Sequence, residues 1–155
     1  MTQVHQVDAF SAAGAGGNPA GVVLDADGLS AEQMQAIAEQ MGLSETAFVC
    51  SHPEAERAVR FFTPTAEVGL CGHATIASWH LLMEQGIAAP GRYPMWTRSG
   101  MQQIHCEASG RVAMSQNRPD FGPVLDAGPV AASLGLDGSQ ILDASQIPIQ
   151  VASTG

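Results

Sequence analysis

The residues best suited to chemistry in this 155-residue chain fall in two short segments, LSETAFV at 43–49 and LCGHAT at 70–75. The apolar run after Gly72 reads as a helix, and the first N–H groups of a helix have no partner inside it. Together with the positive end of the helix dipole they make a site for a carboxylate or a developing enolate. Gly72 lets the backbone approach a ligand closely, and Ala74 carries the next amides of the same turn. Cys71, at the helix start, is expected to have a lowered thiol pKa, which would fit it as a nucleophile or base. The competing reading makes Cys71 a small buried apolar residue and has His73 cap its own helix. Glu45 sits among apolar neighbours at a strand start, where partial burial suits a carboxylate to take up and return a proton. A glutamate facing water at a strand edge is the plainer alternative.

Other chemistries find less support. The loop GAGG at 14–17 departs from the dinucleotide-binding pattern because Pro19 stands where the last glycine belongs, and it leads into a strand rather than a helix. His5, His52, His80 and His105 lie at no ligand spacing from a carboxylate or cysteine, so no metal is expected. Glu67 reads as structural. Six basic residues against fifteen acidic ones give a formal charge of −9, which argues against a nucleic-acid or anionic-membrane partner. All six are arginine, so Schiff-base, pyridoxal-phosphate and phosphate-loop lysines are excluded. Three cysteines without a C-x-x-C pair suit a reducing cytoplasm. The N-terminal MTQVHQVDAF has neither a basic head nor an apolar signal core, and no apolar run approaches the roughly 18 residues of a membrane span. A cytoplasmic location is expected.

The elements that must position these residues can be read from hydrophobic spacing. Val4–Phe10, Ala20–Leu24, Glu45–Cys50 and Arg57–Phe62 read as strands. Leu29–Gly42 reads as an amphipathic helix: Ser30 caps it, Gln33 completes a capping box, Met34, Ile37, Ala38 and Met41 form one stripe, and Gly42 ends it. Gly72–Gln85 has hardly any polar face and is expected to be buried nearly all round, within a sheet that wraps it. Pro94–Thr97, Met101–Cys106 and Arg111–Gln116 supply further strands. Ala and Gly together account for 41 residues, and Leu, Ile, Val and Phe for only 33, so the core must be thin and rich in small side chains. From Asn117 onward the composition reads as a linker, then a short helix around Val130–Leu134, then an apolar run at Ile147–Val151.

The order VHQVDAF, GGNPAGVVL, an amphipathic helix, LSETAFV and RFFTPTAEVGLCGHATIA resembles the phenazine-biosynthesis PhzF-like family of the diaminopimelate epimerase-like superfamily. The resemblance covers residues 1–117. It implies an α+β fold of two domains, each a curved sheet around a central buried helix, with an active site between them that moves a proton at carbon without a cofactor. By position it implies that Glu45 in SETAF is the general acid/base and His73 in GHAT the active-site histidine. Asn18 in GNP looks toward the same cleft, and Cys71 stands where the epimerase relatives keep a catalytic cysteine, beside Gly72 and Ala74 on the substrate side. The family's D-P-x-T-G-S-like motif does not occur, and IPIQVASTG at 147–155 resembles an early strand of its second domain.

The expected organisation is therefore a complete domain at 1–117 followed by a linker and the incomplete start of a second at 118–155. The expected function is half of a PhzF-like isomerase acting on a small carboxylated molecule and a poor catalyst alone. The rival is a non-catalytic half-domain that binds a small acid or a partner chain. Ile141, Leu142, Ile147, Ile149 and Val151 would leave an apolar edge exposed, so a homodimer, or pairing with a separate C-terminal half, is expected.

Overall fold

The computed structural model describes residues 2–12, 14–141 and 147–153. It divides into two units, Met1–Ser115 and Gln116–Gly155. In the first, the strands are β1 (His5–Ala9), β2 (Asn18–Val23), β3 (Thr46–Cys50), β4 (Arg57–Phe62), β5 (Glu67–Val68), β6 (Gly91–Thr97), β7 (Gly100–Cys106) and β8 (Val112–Met114). They form one sheet in the order β1-β2-β3-β4-β6-β7-β8, with β5 added beside β4. The β2–β3 and β4–β6 pairs are parallel and the others antiparallel. Each parallel pair is bridged by a helix, α1 (Ala31–Met41) in the first case and α2 (Gly72–Glu84) in the second.

The two helices pack on opposite faces of the central strands, and side-chain alternation along the strands sorts residues between them. Ala20, Val22, Ala47, Val49, Val59 and Phe61 belong to the cluster built on α2. Val23, Phe48 and Phe62 belong to the cluster built on Met34 and Ala38 of α1. Strands buried on both faces must be apolar at nearly every position, which explains the runs AFV in β3 and FF in β4.

Helix α1 has both halves of the expected capping box. The Gln33 N–H donates to Ser30 Oγ at 3.3 Å and the Ser30 N–H donates to Gln33 Oε1 at 2.9 Å. Gly42 ends it at φ 63, in the left-handed region where glycine carries no side-chain penalty. Helix α2 is enclosed as expected: Trp79 and Leu82 are buried, and the helix touches β1, β2, β3, β7 and β8. Its buried hydroxyls are satisfied inside the helix, Thr75 Oγ1 donating to the Cys71 carbonyl and Ser78 Oγ to that of Ala74, both at 2.7 Å. Trp79 Nε1 donates to Met95 Sδ at 3.2 Å. The α+β architecture of a curved sheet around a central helix is thus observed.

Several boundaries differ from expectation. Strand β5 is too short for periodicity to reveal; two arginines hold it. Arg60 makes a bidentate contact to Glu67 (Nε–Oε1 2.7 Å, Nη2–Oε2 3.0 Å), and Arg98 Nη1 donates to Oε2 at 2.7 Å. Glu67 is thereby structural, and these guanidinium hydrogen bonds, Arg60's foremost, hold its carboxyl below the usual glutamate range. Strand β6 begins three residues before Pro94 and continues through it, with the proline carbonyl accepting from the Glu56 N–H at 2.9 Å.

In the second unit the expected linker contains a strand, β9 (Asp120–Val124), which pairs antiparallel with β10 (Gln150–Ser153). Pro123 and Gly122 disguise it in the sequence. Helix α3 (Ala127–Ser133) starts earlier than expected because Asp126 caps it, accepting from the Gly128 N–H at 3.1 Å. Phe121, Val124, Leu134, Ile147 and Val151 are exposed. Leu142, named above with the apolar edge, lies outside the described residues. Among the described residues no helix is long and apolar enough to cross a membrane.

Candidate active site

Glu45 immediately precedes β3, and its carbonyl accepts the N–H of Gly21 across the parallel pairing at 3.0 Å. Alternation puts its side chain on the same face as Ala47 and Val49, the face covered by α2. Helix α2 begins at this end of the sheet with Cys71 as its N-cap residue (φ −141, ψ 119), and no side chain caps it. Two chain segments that lie 26 residues apart in sequence therefore converge.

The convergence brings three expected residues into direct contact. His73 Nε2 lies 3.5 Å from Glu45 Oε2, and His73 Nδ1 lies 3.3 Å from Cys71 Sγ. The His73 side chain is 11% exposed and that of Glu45 is 24% exposed. The ring also meets a residue that sequence reasoning did not single out: Ser44 Oγ is 3.4 Å from Nε2. Its only signal was its place inside LSETAFV, next to the carboxylate that drew attention. His73 does not cap the helix; its ring is turned toward the strand end instead.

Cys71 corrects an expectation. Its thiol is pushed up to about 11, not lowered. Burial is the main cause, and the N–H of Ala74 pulls against it. The Glu45 carboxylate raises the value further, and the N–H of His73 again opposes. The helix N-terminus acts in the anticipated direction, but removing the thiolate from water outweighs it.

Carboxylate oxygen, sulfur and ring nitrogen come within 4.8 Å of one another at Glu45, Cys71 and His73. The two ring nitrogens face opposite partners, however, one the thiol and one the carboxylate. The structure thus shows a hydrogen bond between Cys71 and His73, with the Glu45 carboxylate set beside the far nitrogen of the ring.

Gly72 lies where a Cβ would face open space, so nothing within the described residues requires glycine there. Ala74 is buried beneath it. Asn18 is not drawn into the cluster. It is exposed at the start of β2, paired with Ala9, and among the described residues no side-chain hydrogen bond joins it to the other three. Its parity matches that of Ala20 and Val22, so it shares the sheet end and the face of Glu45. A cavity of about 500 Å³ lies elsewhere in this unit, lined by Val7, Ala9, Ile76, His80 and Arg111 among others, and does not include the trio.

Comparison with known proteins gives a consistent answer. The family described as "Phenazine biosynthesis-like protein" (PhzC-PhzF) matches residues 7–155. The uncharacterized isomerase YddE of Escherichia coli K12 is 40% identical over 161 residues, covering 99% of this chain and 53% of YddE. The crystal structure of a Bacillus anthracis phenazine biosynthesis protein of the PhzF family is 39% identical, with a TM-score of 0.83 over 98% of this chain and 52% of that one. A Pseudomonas aeruginosa structure titled "Predicted Epimerase PA4716" is 25% identical, with a TM-score of 0.86 over 100% of this chain and 57% of that one. The chain spans about half the length of the curated relatives it matches. With nearly every residue inside the family match, and the SETAF and GHAT segments meeting at one sheet end, this chain belongs to the phenazine biosynthesis-like PhzC-PhzF family.

Proposed function

We propose that this chain is half of a PhzF-like isomerase that moves a proton at carbon on a small carboxylated molecule without a cofactor. The observation that supports it is the meeting of Glu45 and His73 at the uncapped start of α2. In this reading the Glu45 carboxylate takes a proton from a carbon next to the substrate carboxyl. The C–H electron pair moves into an enolate, and the N–H groups of Gly72, His73 and Ala74 hold the resulting negative charge. Returning a proton to the same or a neighbouring carbon completes an epimerisation or isomerisation with no net oxidation.

A C–H bond relocated or inverted in this way needs donor and acceptor groups around one carbon, and the trio supplies one side. Turnover by the 155 residues alone is therefore expected to be poor, whereas exchange of a substrate proton with solvent needs only the one base. In deuterated water the chain is expected to wash deuterium into a small carboxylic acid of the right shape, with Glu45→Gln lowering the rate by about 10²-fold or more. Exchange that is unaffected by Glu45→Gln removes the proposal.

A second reading is favoured by the exposed Phe121, Val124, Leu134, Ile147 and Val151 of the second unit. Here the chain is a non-catalytic half that binds a small acid and pairs with another polypeptide, either a second copy in a homodimer or a separate C-terminal half. Sedimentation at micromolar concentration tests the homodimer: a monomer rules it out.

A further inference from the structure

We infer that Cys71 is a positioning residue: its thiol donates its hydrogen to Nδ1 of His73, which fixes the ring as the Nε2–H tautomer and aims that N–H at Glu45 and Ser44. The argument is an inventory of hydrogens around one ring. On one side Nε2 faces a carboxylate oxygen at 3.5 Å, and an ionised carboxylate can only accept. The Ser44 hydroxyl beside it, at 3.4 Å, can accept as well as donate. On the other side Nδ1 faces sulfur at 3.3 Å. A neutral imidazole has one N–H, and a thiol has one hydrogen to give. The opposite tautomer would set the Nε2 lone pair against the carboxylate oxygen, with Ser44 as its one donor, so the arrangement favoured is S–H to Nδ1 and Nε2–H toward the carboxylate and Ser44.

Three further features support this direction. Burial keeps the thiol protonated to about 11, so the hydrogen is present at any ordinary pH. The Cys71 backbone is also held fast, its carbonyl accepting from Thr75 N at 3.1 Å and from Thr75 Oγ1 at 2.7 Å. The ring, being only 11% exposed, has little water to substitute for either partner. This role differs from the acid–base one that the resemblance implies for a cysteine at this position. Its catalytic consequence, a donor held against the Glu45 carboxylate, rests on the proposed isomerase reading; the tautomer itself does not.

The test is the 15N spectrum of the histidine rings of the full chain in mildly alkaline buffer without substrate, with His73→Gln identifying the resonances. The expected result is a pyridine-like Nδ1 and a pyrrole-like Nε2 for His73. Cys71→Ser, which keeps a hydrogen to donate, should preserve that pattern. Cys71→Asp, which offers only lone pairs, should move a proton onto Nδ1. A protonated Nδ1 in the unsubstituted chain overturns the inference, as does a Cys71→Asp protein with the unchanged pattern. Should Cys71→Asp fail to fold, the spectrum of the unsubstituted chain decides. Absence of deuterium exchange bears on the isomerase reading alone.

Discussion

At the residue scale, Gly72 separates the needs of the fold from those of the site. A Cβ there meets nothing within 4 Å, and an alanine would lower the entropy of the unfolded chain. Gly72→Ala is therefore expected to leave the unfolding free energy unchanged or raise it by about 0.4–1 kcal/mol, read from denaturant unfolding, while abolishing the deuterium exchange that close substrate approach would support. A loss of stability would mean that the fold, and not a ligand, requires the glycine. Cys71 allows a second prediction. With its thiol raised to about 11, alkylation in the folded protein should be slow at neutral pH and accelerate only in strong alkali, as peptide-resolved mass spectrometry would read. That Glu45, Cys71 and His73 lie together was legible through the resemblance carried by the short SETAF and GHAT motifs. The sign of the thiol shift was not, because it depends on how deeply the packed helix buries the sulfur, which spacing does not reveal. Ser44 was missed for a related reason: a serine is ordinary at a strand start until a folded ring is set against it.

At the scale of elements, the β2–β3 contact links stability to the site. A Cβ on Gly21 would lie 2.6 Å from Thr46 Oγ1, while the Gly21 N–H holds the Glu45 carbonyl. Gly21→Ala should cost about 1–3 kcal/mol by overpacking and should shift Glu45 as well, so deuterium exchange and stability fall together. The β5 attachment predicts a pH dependence. Glu67 has its folded pKa lowered by Arg60 and Arg98, so its stabilisation is complete above the unfolded value and is lost as pH falls through the lowered one. Glu67→Gln should destabilise at neutral pH by about 1–3 kcal/mol and flatten the acid limb of the stability curve. An equally steep acid limb in the variant would count against this assignment. Helices α1 and α2 were legible because a capping box and an unbroken apolar surface are local signals. Strands β5 and β9 were not: one is two residues long and fixed by arginine side chains from other segments, and the other carries Pro123 and pairs with a segment 26 or more residues away.

At the scale of the whole chain, the first unit's sheet was legible as a set of strands, but its order was not. Strand β4 is flanked by β3 and β6, and β6 is reached only after α2 has been laid down. That order has a kinetic consequence. The β1–β2, β3–β4 and β6–β7 pairs can close as neighbours, whereas the parallel joins β2–β3 and β4–β6 must bring together Val22 with Ala47 and Ala58 with Trp96. Such non-local closures lose chain entropy before contacts repay it, so hairpins are expected to form first and the joins to set the pace. If the β4–β6 join sets the pace, Ala58→Gly should slow refolding and leave the unfolding rate nearly unchanged, whereas faster unfolding with unchanged refolding would place the join after the rate-limiting step. A slowed refolding arm would place that join inside the transition state, and assembly of the surface that carries His73 would then be tied to the slowest event in the life of the newly made chain.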